Sequence, residues 1–197
     1  MSRIKIKLLK NDKKNLATVV KIHQKSLQDN ILANFGKNFL TRMYTGICHD
    51  KNNLLLVAVI KNRIIGYIAL NFLKENFVKH IKFQDIIIFL ISLISKPYLI
   101  FSLFFQLFHH ENYPEKNSYE ISHFAVLKSY RNKGIGNKLI LRSINISKKQ
   151  QKKFLKTKTN NYKLSNFYIK KYNAVLVKEF NVFKEKYFIL KINIKNF

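Results

Sequence analysis

Ser118-Tyr119-Glu120-Ile121-Ser122-His123-Phe124-Ala125-Val126-Leu127-Lys128-Ser129-Tyr130-Arg131-Asn132-Lys133-Gly134-Ile135-Gly136-Asn137-Lys138-Leu139-Ile140-Leu141 divides into a strand, a glycine turn and a helix. Residues 119–127 carry Ile121, Phe124, Val126 and Leu127 and suit a mostly buried strand. Residues 130–136 form a tight loop with two glycines. From Asn137 onward, Leu139, Ile140, Ile144 and Ile146 fall near the spacing of one helical face. A loop entering a helix in this way turns backbone N–H groups toward one point at the positive end of the helix dipole, which suits phosphate. Gly134 and Gly136 are expected to supply positive φ and to let a phosphate reach the backbone with no Cβ in the way.

The fuller pattern is more specific than a glycine pair. A strand ending in Ala125-Val126 leads into Arg131-x-x-Gly134-x-Gly136 and then an amphipathic helix. This resembles the acetyl-CoA signature of the GNAT N-acetyltransferase superfamily. The dinucleotide fingerprint does not fit, because it needs a third glycine and position 139 is Leu. The resemblance implies an α/β fold of GNAT type: a central mixed, mostly antiparallel sheet flanked by helices. It implies one N-acetyltransferase domain over 1–197, with a helical hydrophobic insertion at about 74–112 before the CoA-binding strand. Acetyl-CoA would be the cosubstrate. The main chain of Phe124, Ala125 and Val126 would hold pantetheine and polarise the thioester. Arg131, Asn132, Lys133, Gly134, Ile135 and Gly136 would hold the pyrophosphate.

A second stretch, running from Asn160-Asn161-Tyr162 to Phe167-Tyr168-Ile169-Lys170-Lys171-Tyr172, follows a short strand, 154–159. It is similar to the second GNAT motif, in which an Asn after a strand precedes a helical Tyr by seven residues. Asn161 and Tyr168 fit that register. The usual Gly-Phe is replaced by Tyr172-Asn173. Tyr168 is the candidate general acid, since a phenol stays protonated at neutral pH and can donate to a departing thiolate.

The candidate base is Glu120, the lone carboxylate on the predicted CoA strand. His123 is three residues further on, which places it on the opposite strand face unless a bulge intervenes. Glu111 and Glu115 are outside candidates for the same role.

The remaining chain fits the same architecture. Residues 3–9 alternate as a half-buried strand, and Asn11-Asp12 offers a helix N-cap. Leu16, Val19, Val20, His23 and Leu27 follow at helical spacing, and His23 reads as part of that face. Phe39 to Ile47 suggests a second helix after Gly36, and 54–60 with 64–72 reads as a hairpin. Residues 175–183 and 187–194 read as closing strands.

Residues 86–108 are apolar except Ser92, Ser95, Lys96, Pro97, Ser102 and Gln106. The run is long enough to span a bilayer, but a lysine at its centre costs about 2.5–3.5 kcal/mol on insertion scales. Pro97 favours a break into two helices. The favoured expectation packs this insertion over the mouth of the site. The sharper one dips part of it into a membrane surface.

With 37 Lys and Arg against 10 Asp and Glu, this is a basic protein of net charge +27. Such a field attracts polyanions, with nucleic acid a less favoured partner than a small-molecule amine. A composition rich in Lys, Asn and Ile also accounts for the charge. A single cysteine, Cys48, excludes a disulfide framework, and the six histidines lack metal-ligand spacing, so no metal is expected. No apolar run precedes a cleavage site near the N-terminus. The expected location is cytoplasmic, with peripheral contact at the inner membrane surface as its extension.

Overall fold

The computed structural model describes residues 3–28, 31–71, 80–97, 117–182 and 185–197. Glu111, Glu115, His109, His110 and the second half of the insertion lie outside them.

The first strand, β1 (Lys5–Leu8), leads to helix α1 (Lys13–Ser26). Asp12 caps α1 as expected, accepting from the Lys14 and Asn15 amides at 2.9 and 3.1 Å. That satisfies two N–H groups that no helical carbonyl can reach. Helix α2 (Gly36–His49) follows, then the hairpin β2 (Leu54–Ile60) and β3 (Arg63–Asn71). Beyond it are α3 (Phe83–Ser95), β4 (Ser118–Val126), α4 (Ile135–Lys149) and β5 (Phe154–Thr159). The chain closes with α5 (Tyr162–Tyr172), β6 (Val175–Val182) and β7 (Glu185–Asn193).

Among the described residues the sheet has seven strands in the order β1-β2-β3-β4-β5-β7-β6. Every neighbouring pair is antiparallel except β4–β5. One face packs on α1 and α2 through Leu16, Val20, Phe39 and Leu40 against Leu55, Val57 and Ala69. The other packs on α4 and α5 through Leu139, Ile144 and Tyr168 against Ile68, Ile121, Leu155 and Leu190. Both faces are covered, so β2 and β3 are apolar over nearly their whole length rather than alternating.

The insertion begins as expected with a helix that stops before Pro97. Asp85, 2% exposed, fixes α3 by accepting from the Lys82 amide at 2.7 Å and pairing with Arg42 of α2. Arg42 also donates to the His80 carbonyl at 3.1 Å. The outer face of α3 leaves Phe83, Leu90, Ile91 and Ile94 more than half exposed.

Candidate active site

Strands β4 and β5 pair only over Ser118–Ile121 and Phe154–Thr157. Beyond Ile121, β4 keeps its β3 partner and β5 keeps its β7 partner, so the two strands part. The edge of β4 from Ser122 to Val126 therefore faces a gap in the sheet. Phe124, Ala125 and Val126 lie on that edge, where main-chain groups can meet a ligand in extended conformation.

The gap leads to the β4–α4 loop. The Leu127 amide donates to the Ile65 carbonyl at 2.9 Å, and Arg131 Nε donates to the Val126 carbonyl at 3.0 Å. Arg131 thus braces the end of the strand it follows. Asn132 has φ +59° and Gly134 has φ +72°, so the loop needs two left-handed residues before the helix can start. A Cβ built on Gly134 would meet nothing within 4 Å. The N–H groups of Ile135, Gly136 and Asn137 open α4 and have no intrahelical acceptor.

The expected roles of the two glycines separate here. Gly136 does not have positive φ and is already helical. Its requirement is a close approach: a Cβ there would stand 3.0 Å from Cζ of Phe124. The helix also begins two residues earlier than its apolar spacing indicated, because Ile135 is buried as its first residue.

A groove of about 690 Å³ lies beside this loop, lined by Lys25, Ser26, Leu127, Lys128, Ser129 and Arg131. It adds Lys25 and Lys128 to the cations expected from sequence. Lys25 comes from the last turn of α1, distant in the chain, and carries no local signal. Three cations line this groove, and the loop beside it leads into the open amides of α4; both features suit a polyanion.

On the α4–α5 face, Asn161 caps α5 by accepting from the Leu164 amide at 3.0 Å. The helix ends at Asn173 with φ +47°. Asparagine tolerates this left-handed cap, which glycine usually fills. Tyr172 Oη donates to Oδ1 of Asn137, tying α5 to the first turn of α4. Tyr168 is fully buried, and its hydroxyl has no hydrogen-bond partner. Burial pushes that phenol well above its ordinary value. The Thr157 hydroxyl on β5 is the neighbour that would steady a phenolate, but the two are not hydrogen-bonded.

The opposite face holds the candidate bases. Ser122 has no partner on β3: Ala69 pairs with His123 and Leu70 with Ile121. This bulge reverses the alternation of β4. Tyr119 and Ile121 face the α4–α5 side, whereas His123 and Ala125 face α1 and α2. Glu120, paired with Asn71, lies on that same α1–α2 side. The exception to simple alternation is therefore realised, and Glu120 and His123 are successive residues on one face. Asn71 beside them is buried, and its Oδ1 accepts no hydrogen bond.

Behind His123 is a polar cluster that sequence did not single out. His23 Nδ1 lies 2.7 Å from Tyr44 Oη and 3.0 Å from Tyr67 Oη, and the two phenols are 2.8 Å apart. The His23 and His123 ring centroids are 5.1 Å apart. His23 Nε2 and His123 Nδ1 are both buried without a partner. Burial lowers both histidines, His123 to about 4, and each ring is neutral at physiological pH. In sequence His23 is one position on a helix face, and only the fold brings in its three neighbours from α2, β3 and β4.

Among the described residues no group of three His, Cys, Asp or Glu side chains could hold a metal ion. No helix among them is long and apolar enough to cross a membrane.

Solved structures share this fold. The structure is similar to the ribosomal-protein-S18-alanine N-acetyltransferase from Escherichia coli, with TM-score 0.62 and 10% identity, covering 98% of this chain and 94% of that one. It is similar to an aminoglycoside 6'-acetyltransferase type Ii, with TM-score 0.63 and 10% identity, covering 96% and 97%. It is also similar to the PaiA N-acetyltransferase from Thermoplasma acidophilum in complex with coenzyme A, with TM-score 0.60 and 14% identity, covering 97% and 99%. At these identities the likeness establishes the fold. No curated protein matches the chain in sequence. The profile of the acetyltransferase (GNAT) family matches residues 22–173, which takes in the end of α1, the parted strands, the glycine loop and the Tyr168 helix. The chain belongs to the GNAT acetyltransferase family and is an acyltransferase.

Proposed function

We propose that the protein transfers the acetyl group of acetyl-CoA to a primary amine of a small molecule or amino sugar. The observation that carries this reading is the gap between β4 and β5 running into the Gly134 loop and its basic groove. The Ile135–Asn137 amides, with Lys25, Lys128 and Arg131, would hold the phosphates. The main chain of Ser122–Val126 would hold the pantetheine arm and polarise the thioester carbonyl. Tyr168 would give its proton to the leaving sulfur, and its high pKa keeps that proton in place until the thiolate forms.

The acceptor side favours an amine. Glu120, the Asn71 side-chain oxygen and the neutral His123 ring lie on one face, and each can accept a hydrogen bond from an amine. The similar structures act, by their names, on an aminoglycoside and on a ribosomal-protein alanine. The direct test is a screen with acetyl-CoA against an aminoglycoside, a polyamine and an alanine-terminated peptide. Turnover of the first two supports the reading. Turnover of the peptide alone transfers the assignment to protein amines, for which the net charge of +27 would provide attraction to ribosomal RNA.

A second reading concerns location. Phe83, Leu90, Ile91 and Ile94 form an exposed apolar stripe on α3, with Lys82 and Lys96 at its ends. This supports peripheral contact with an anionic membrane surface. Sedimentation with phosphatidylglycerol vesicles at low salt tests it: binding lost in Ile91→Glu supports the contact, and no binding by the wild type contradicts it.

A further inference from the structure

The layer formed by α4 and α5 carries positive charge that no carboxylate of its own offsets. From Ile121 to Lys178 the chain has 15 Lys and Arg and neither Asp nor Glu. Composition sets how many lysines the chain has, but not where its carboxylates stand. The described ones are Asp12, Asp50, Asp85, Glu120, Glu179 and Glu185, and none belongs to α4, to α5 or to the turns that flank them.

On α4 the charge is ordered. Lys138, Arg142, Asn145 and Lys149 recur every three or four residues, which puts them on one side of the helix, and all four are exposed. The other side, with Leu139, Ile140, Ser143, Ile144 and Ser147, is buried. Lys138 and Arg142 are like charges one turn apart, an arrangement that weakens a helix by repulsion, and α4 has no Asp or Glu to relieve it. Helix α5 adds Lys163, Lys170 and Lys171, also exposed. The bond from Tyr172 Oη to Asn137 Oδ1 ties the lysine-bearing end of α5 to the start of the α4 stripe. Mutually repelling exposed cations favour a polyanion, because each phosphate they meet releases its counterions.

The side chains select among polyanions. A helix that docks on a membrane inserts large apolar residues. On α4 and α5 the exposed aliphatic residues are Leu141 and Ile169, only 38% and 37% exposed, and the apolar stripe of α3 lies with α1 and α2 across the sheet. Capture of unpaired bases needs aromatic platforms. Among the described residues of this layer, Tyr162 is the one exposed aromatic. The chemistry that remains is recognition of a duplex backbone. From Lys138 to Lys149 the stripe runs about 16 Å, the length of several consecutive phosphates on one strand. Asn145 sits between Arg142 and Lys149, and its amide both donates and accepts. That matches a ribose 2′-hydroxyl, which DNA lacks.

We propose that the outer stripe of α4, with Lys163, Lys170 and Lys171 of α5 beside it, is a docking surface for double-stranded RNA. Lys138, Arg142 and Lys149 meet phosphates and Asn145 meets ribose. No base is read, so binding is indifferent to sequence and steep in salt. The surface lies in the layer opposite Glu120 and His123, and its role does not depend on which amine is acetylated.

Fluorescence anisotropy with an RNA duplex of about 20 base pairs tests it. Two triple variants change the net charge equally: Lys138→Glu, Arg142→Glu and Lys149→Glu on α4, and Lys13→Glu, Lys14→Glu and Lys21→Glu on the exposed side of α1. Thermal melting checks that both are folded, and Gln at the three α4 positions replaces Glu if the charge reversal unfolds the helix. Wild type should bind at low salt, with affinity falling steeply as salt rises. The α4 triple should bind about 30-fold more weakly, with a log–log salt slope smaller by about three. The α1 triple should stay within about 3-fold of wild type, because only the distant field has changed. Equal losses in the two variants would mean that net charge alone attracts RNA, and would overturn the proposal. Wild type that does not bind RNA, a DNA duplex of the same sequence bound as tightly, or phosphatidylglycerol vesicles held through the α4 residues in place of RNA would overturn it too.

Discussion

Gly136 and Phe124 touch across the site: a Cβ on the glycine would stand 3.0 Å from the phenylalanine Cζ. Phe124 lies on the strand edge expected to meet pantetheine, and Gly136 lies in the first turn expected to meet phosphate. Their contact sets how closely the two halves of the cosubstrate site approach each other.

Gly136→Ala should therefore push the ring aside, costing about 1–3 kcal/mol as overpacking does. Acetyl-CoA affinity should fall with it. Phe124→Leu in the same chain should relieve the contact and recover part of both losses, read by thermal melting and calorimetric titration.

Tyr168→Phe separates chemistry from stability. The hydroxyl is buried without a partner, so its removal should leave the melting temperature unchanged or raise it. Turnover should nonetheless fall by about 100-fold at unchanged acetyl-CoA affinity, because the thiolate loses its proton donor. Undiminished turnover would remove Tyr168 from the mechanism.

How much of this was legible in sequence depends on the range of the signal. The glycine loop, the Asp12 cap and the strand–helix order rest on neighbours within a few residues, and each is found where its chemistry indicated. Locally Gly136 looks like a second positive-φ glycine, a role that Gly134 alone of the two fills, because a clash with Phe124 twelve residues away leaves no local trace. The same holds for Lys25 in the groove and for the Tyr44–Tyr67–His23 triangle, whose members come from three elements. The bulge is the intermediate case. Ser122 has nothing that marks it as extruded, yet its extrusion decides which face His123 takes.

The histidine cluster should make folding acid-sensitive. His123 has an ordinary value of 6.5 and is lowered to about 4 by burial. The unfolded chain thus binds a proton that the folded chain refuses, and stability falls as pH drops from about 6.5 to 4. For His123 the loss reaches about 3 kcal/mol, and His23 shifts in the same direction. Urea midpoints should be level above pH 7 and decline below 6.5, with a shallower decline in His123→Gln.

Asp85 anchors the insertion. Asp85→Ala leaves Arg42 without its partner and the start of α3 without its cap, a change expected to cost about 3 kcal/mol. Amide exchange should rise first in α3, with the sheet protected as before.

The central claim is that the Gly134 loop holds the cosubstrate's phosphates. Calorimetric titration with acetyl-CoA tests it on wild type, Gly134→Glu and Gly134→Asn. The position has φ +72° and opens onto free space, so glutamate brings a charge to the phosphate site while asparagine tolerates the backbone. The account predicts micromolar binding by wild type, retained by the asparagine variant and abolished by the glutamate variant. Folded wild type that does not bind acetyl-CoA, or a glutamate variant that binds as tightly as wild type, would contradict it.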